Sequence, residues 1–206
     1  FDNIVKLSDA PIIGIEGDEY FSSALDNTPK FLKYEHHIGL ISGIAWDHIN
    51  AYETIDDYVR QFEIFADSTP KAGTLIFCEE DDLAMVLASN ERIDVNQSYY
   101  SAHPYEVRKG QTYLITGDGY VDVNVFGRHN MSNISGAKMV LARIGVPEEA
   151  FYEAIRSFEG ASKRLQLMSQ NDHCSVFLDF AHAPSKVQAT TQALKEKYED
   201  RKLTAC

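Results

Sequence analysis

Three short stretches of the chain are almost continuously apolar: PIIGI at residues 11–15, HIGLISGIAW at 37–46 and GTLIFC at 73–78. Each gives way to acidic or polar residues, EGDEY after the first, Asp47-His48 after the second, Glu79 to Asp82 after the third. Runs of this length without alternation predict strands buried on both faces, as in a parallel sheet covered by helices. Between the second and third runs the period lengthens. Thr54 precedes Ile55, Val59, Phe62 and Phe65 or Ala66, an apolar face at helical spacing, and Asp56 and Asp57 suit the positive end of its dipole. Residues 82–89 predict a shorter helix.

The pattern changes in the middle. TYLITGDGYVDVNVF alternates Val121, Val123 and Val125 with polar residues and carries Gly117-Asp118-Gly119 at its centre, which predicts an antiparallel hairpin. Ile134, Ala137, Leu141 and Ile144 then recur at helical spacing up to Gly145, with Asn130 placed as a cap and Asn133 at the third helical position. Pro147 opens the next helix, with Phe151, Ala154, Ile155 and Phe158 on its apolar face and Gly160 at its end. GASKR reads as a linker, CSVFLDF as a strand, Pro184 as another helix start and LTAC as the beginning of a further strand. The fold class is therefore α/β, a mostly parallel sheet flanked by helices with an antiparallel hairpin, followed near Gly160 by the start of a second, Rossmann-like α/β unit. The ends carry no obvious caps, so the chain reads as an internal segment of a longer protein.

A formal charge of −12 over 206 residues argues against a nucleic-acid partner, which requires a clustered cationic face. No apolar stretch approaches the roughly 20 residues of a membrane helix. Cys78, Cys174 and Cys206 are odd in number and unrelated in spacing. They form neither a disulfide framework nor a zinc pattern, and the expected compartment is a reducing cytoplasm.

Ligands of open parallel sheets sit beyond the carboxyl ends of the strands. Glu16, Asp18 and Glu19 follow the first predicted strand, and Asp47 and His48 the second. Glu16 and His48 can supply oxygen and nitrogen to one divalent cation, although acidic strand ends are more often solvated turns. Asn133 gains nothing from capping. Its amide offers a donor and an acceptor together, the complement of the adenine edge at N6 and N7. Arg164 in the linker and Asp179 at a strand tip, with His182 beyond it, suit phosphate and ribose, although surface charge is the blander reading of each.

Taken together, EGDEY, WDH, GRHNMSN, SFEGASKR and FLDFAHAP resemble, in order and spacing, the motifs of the Mur ligases, ATP-dependent amide-forming enzymes of peptidoglycan assembly. The resemblance implies a central ATPase domain over residues 1–160 and the start of the C-terminal domain over 161–206. It implies ATP and one or two magnesium ions as cofactors. Glu16 matches the metal-binding glutamate, and His48 the histidine beside a second metal. His129, Asn130 and Asn133 match the nucleotide motif, with Asn133 on the adenine. Arg164 matches the arginine that reaches the phosphates across the hinge, and Asp179 an aspartate at the nucleotide, with His182 beside it. In the chemistry so implied, ATP activates the substrate carboxylate as an acyl phosphate, which the incoming amine attacks.

The departures are specific. No Gly-Lys pair occurs, so the family's phosphate loop is expected upstream together with a UDP-binding domain. No lysine stands between Lys33 and Lys71, unlike sister ligases that carry a carbamylated lysine there. That feature matches the branch acting on UDP-N-acetylmuramate. The family's HHP reads His182-Ala183-Pro184 here, so no role passes to position 183. Within the branch, EGDEY, FAHAP and the segment from Tyr20 to Tyr34 resemble the members that recycle a murein tripeptide. The alternatives are L-alanine as the amine, and a nucleotide-binding module that does no catalysis.

Overall fold

The computed structural model describes residues 8–46, 49–90 and 92–206. The chain divides into two compact units, Phe1–Glu35 with His48–Ser68, and His36–Asp47 with Thr69–Cys206.

In the first unit an antiparallel pair, β1 (Phe21–Ser23) and β2 (Asp26–Pro29), leads into a 3-10 turn, Lys30–Lys33, and the helix α1 (Ile55–Ser68). Thr54 caps α1 as expected, its Oγ1 accepting from the Asp57 N–H at 3.1 Å. The buried face is Tyr58, Phe62 and Ala66; Phe62 and Ala66 belong to the predicted stripe, and Tyr58 is buried in place of Ile55 and Val59, a small rotation at the start of the helix. Aromatic packing explains the rotation: Tyr58 meets Tyr52 and Phe62, while Phe31 meets Phe62 and Phe65.

The PIIGI segment forms no strand, and Ile12, Ile13 and Ile15 remain exposed. An apolar run registers a need for burial, but a strand also needs a neighbour to complete its hydrogen bonds. No described strand pairs with it.

The second unit holds the predicted parallel sheet, in the order β3 (Ile38–Ile41), β4 (Thr74–Cys78) and β5 (Asn96–Tyr100). Every residue of the central strand β4 is buried, which is why it is apolar throughout. Helix α2 (Asp82–Ala88) follows it, capped by Asp81 Oδ1 accepting from the Ala84 N–H at 2.8 Å.

The antiparallel sheet has three strands: β6 (Tyr105–Arg108), β7 (Gln111–Thr116) and β8 (Gly119–Val123). Helix α3 (Arg128–Arg143) lies between the two sheets. Met131 and Ile134 join Leu114, Val121, Val123 and Val125 from the antiparallel side, together with Phe151 of α4 (Glu148–Ile155). Met139 and Val140 pack on Ile76, Cys78 and Tyr100 of the parallel sheet. Gly136 permits that second contact, because a methyl there would come within 3.0 Å of the Tyr100 ring.

Helix α3 ends as predicted. Gly145 adopts φ +87, its N–H bonds Ala142 O, and Val146 N–H bonds Leu141 O, a Schellman closure. Pro147 is the N-cap of α4, one residue before its expected place, and α4 stops at Ile155 rather than near Gly160.

Beyond Gly160, β9 (Gln166–Gln170) pairs antiparallel with β10 (Ser175–Leu178), and α5 (Pro184–Lys197) starts on its proline as expected. LTAC forms no strand. As with PIIGI, no described neighbour pairs with it. Phe126, Leu165 and Ala193 form a buried cluster with Phe177 and Leu194, which joins α5 and β10 to the start of α3.

Candidate functional site

The first turn of α3 is built on an unusual backbone. Gly127 is its N-cap, at φ 85 and ψ 148, a region that only glycine occupies comfortably. Asn130 is therefore not the cap. It is the third helical residue, and its Nδ2 donates to Phe126 O at 2.8 Å. A cap must accept from backbone N–H groups. This amide instead donates to the carbonyl that precedes the turn.

Asn133 is the sixth helical residue rather than the third. It is exposed and has no hydrogen-bond partner, so its amide presents a donor and an acceptor to solvent.

His129 is half-buried, and its Nδ1 is buried without a partner. Burial pushes the imidazole below its ordinary pKa; Asp179 opposes that shift and Arg164 reinforces it. Both of those sequence candidates therefore act electrostatically on the ring. Asp179 stands just past β10, and its Oδ1 accepts from the Leu165 N–H at 3.2 Å. Arg164 is exposed in the turn before β9. His182 is exposed, with Nδ1 donating to Phe180 O at 2.9 Å and its ring edge-on to Phe180. Thus His129, Asn130, Arg164 and Asp179, scattered over fifty residues of sequence, meet around the start of α3.

Glu16 belongs to the first unit. Within EGDEY the three carboxylates differ. Asp18 holds Lys30 at 2.8 Å and accepts from the Tyr20 N–H, and Glu19 receives the Tyr58 hydroxyl, while its main-chain carbonyl takes the Tyr52 hydroxyl. Glu16 is exposed and has no partner among the described residues. Among the described residues no three acidic, imidazole or thiol groups cluster as a metal site. His48, the other proposed metal ligand, and Asp47 beside it lie outside the described residues.

Two polar groups around α3 went unnoticed in the sequence. Glu80, just after β4, accepts from Arg128 through both oxygens (2.7 and 3.1 Å) and from the Ala102 N–H at 2.8 Å. His103 is only 5% exposed. Its Nδ1 donates to Pro104 O and its Nε2 accepts from the Tyr152 hydroxyl, both at 2.8 Å, while Lys138 donates to that hydroxyl and to Glu148. Neither group has a motif; each is assembled from separate elements.

Residues 19–141 match the profile of the Mur ligase middle domain, and the chain belongs to the Mur ligase family. A curated relative, the UDP-N-acetylmuramate--L-alanine ligase of Arthrobacter sp. (strain FB24), is 28% identical over 95% of this chain and 45% of its own length. The chain thus spans less than half of the curated relatives it matches. Among solved structures, MurF from Acinetobacter baumannii superposes with a TM-score of 0.68 at 19% identity, over 80% of this chain and 38% of that one. The murein peptide ligase mpl from Psychrobacter arcticus gives 0.59 at 23% identity, over 90% and 40%. These likenesses share the α/β fold described above. No helix among the described residues is long and apolar enough to cross a membrane.

Proposed function

We propose that these residues are the nucleotide-binding core of an ATP-dependent amide ligase that acts on the carboxylate of UDP-N-acetylmuramate. The observation that carries this reading is that Arg164 and Asp179 act electrostatically on the imidazole of His129, whose Nδ1 is buried and unpaired, with the exposed amide of Asn133 one turn along the same helix. Residues 1–160 act as the central ATPase domain, and 161–206 begin the C-terminal domain.

The side chains suit the groups they would hold. Asn133 reads the adenine edge with its paired donor and acceptor. Glu16 offers a hard, unpaired oxygen ligand to magnesium, which keeps several waters and needs only one or two carboxylates beside substrate phosphates. His48, which matches the family histidine by motif order, would support a second metal or the acyl phosphate. Arg164 brings a cation to the phosphates, and Asp179, oriented by the Leu165 N–H, takes a ribose hydroxyl with His182 beside it. When bound, ATP and magnesium supply carboxylate activation. The residues themselves position the reactants and neutralise charge.

The amine in this reading is the tripeptide L-alanyl-γ-D-glutamyl-meso-diaminopimelate, on the strength of EGDEY, FAHAP and the segment from Tyr20 to Tyr34. L-Alanine is the second reading, favoured by the name of the curated relative. Phosphate release by the full-length protein, with UDP-N-acetylmuramate and either amine, separates them. Turnover with the tripeptide and not alanine is expected. The reverse selects the second reading, and ATP binding without turnover on either amine overturns the ligase.

A further inference from the structure

Resting on the reading that α3 begins a nucleotide site, we infer that Glu80 is a positioning residue that sets the first turn of α3, which carries His129 and leads into Asn133. The loop 101–104 between β5 and β6 is tied to α3 at two points. Upstream of Asn130, Glu80 grips Arg128 with both carboxylate oxygens and holds the Ala102 N–H with Oε1. Downstream, the His103 N–H donates to Met131 O at 3.1 Å. These two attachments bracket Asn130, and Asn133 follows on the next positions of the helix. His103 is itself locked through its ring to Tyr152 and Pro104, so the loop is a fixed support. Among the described residues, Glu80 is the one side chain whose hydrogen bonds join the end of β4, this loop and the first residue of α3.

Direct charge and positioning make opposite predictions. A carboxylate near an anionic ligand repels it, so if Glu80 acted through its charge alone, removing it would tighten nucleotide binding. If Glu80 holds the turn in place, removing it releases Arg128 and the loop, and the helical backbone that places Asn133 loses its anchor. The pair is partly solvated, with the Arg128 side chain 66% exposed, which limits the effect. Its bidentate geometry still gives directional control.

The test measures ATP and GTP binding calorimetrically in full-length protein, with kcat at saturating ATP and amide exchange over residues 128–135. Glu80→Ala is expected to weaken ATP about 3- to 10-fold, the equivalent of roughly 0.7–1.4 kcal/mol. It should also narrow the preference for ATP over GTP, speed exchange in the first turn of α3 and leave kcat within about twofold, that bound following from a role confined to binding. Glu80→Gln, whose amide oxygen still accepts from Ala102, should recover most of the loss. If Glu80→Ala does not fold, Glu80→Asp serves, because it keeps the charge but is one methylene too short to hold Ala102 and Arg128 together. Tighter ATP binding, or unchanged binding with only a lower Tm, overturns the inference. Asn133→Ala in the same assay separates the two levels. If it leaves ATP affinity intact, the nucleotide reading itself fails; if it weakens ATP while the Glu80 variants do not, only the positioning role fails.

Discussion

A methyl group placed on Gly127 would overlap the Cβ of Ala193 and lie 3.1 Å from the ring of His129. The N-cap of α3 is therefore where α5 touches α3 and where the half-buried imidazole of His129 is held. Gly127→Ala combines that overlap with a backbone region costing about 1–3 kcal/mol for other residues. Thermal unfolding should show a loss at least that large. Ala193→Gly in the same background should recover the steric part and leave the backbone part. A Gly127→Ala protein of native Tm would mean that the close approach is absent in solution.

Asn130 distinguishes donor from cap. Because its amide donates to Phe126 O, Asn130→Asp sets a carboxylate against a carbonyl and should destabilise more than Asn130→Ala. At a true N-cap, Asp and Asn are nearly equivalent and Ala is the worst of the three. Melting temperatures of the two variants decide the matter.

Asn133 carries no structural bond, so Asn133→Ala should leave Tm unchanged. Loss of a buried pairing with the base costs about 1–3 kcal/mol, a rise in ATP KM of very roughly 5- to 150-fold. Discrimination against GTP should weaken, because guanine offers an acceptor where adenine offers a donor. Steady-state kinetics with both nucleotides would reveal it, and an unchanged KM and base preference would remove Asn133 from the site.

Among the described residues, Glu16 is the carboxylate of EGDEY without a partner. Glu16→Ala in full-length protein should lower activity and raise the magnesium concentration needed for half-maximal rate, since a hard-cation ligand is lost. Asp18→Ala removes a surface pair with Lys30 and should leave that requirement unchanged. A magnesium titration of both variants makes the comparison.

Acid stability follows from the buried histidines. Burial pushes His36 from an ordinary 6.5 down to about 4, and burial also lowers His103 and His129. In each case the unfolded chain takes up a proton before the folded one does. The contribution is fully present above about pH 6.5 and is lost as pH falls from there towards 4. Tm measured across that window should fall, and the slope should flatten in His36→Gln. A slope identical to that of the unsubstituted protein would show that His36 is already accessible to protons.

Local pattern determined much of this architecture. An uninterrupted GTLIFC can only be a central strand, Thr54 and Pro184 open helices wherever they are packed, and Gly117-Asp118-Gly119 turns a hairpin on its own chemistry. Strands β5, β6 and β9 left little trace because they sit at edges or pair with one neighbour: NQSYY and QLMSQ carry no apolar run to detect. PIIGI failed in the opposite way, since hydrophobicity without a pairing partner makes no strand. Motif order was enough to single out Glu16, His129, Asn133, Arg164 and Asp179. Only the tertiary structure brought Arg164 and Asp179 to the His129 ring, turned Asn130 from cap to donor, and left Asn133 free. Only it assembled Glu80 with Arg128 and Ala102, and His103 with Tyr152 and Lys138. Those relationships join residues up to about fifty positions apart, and they depend on α3 being held between two sheets, a long-range packing result that no local period encodes.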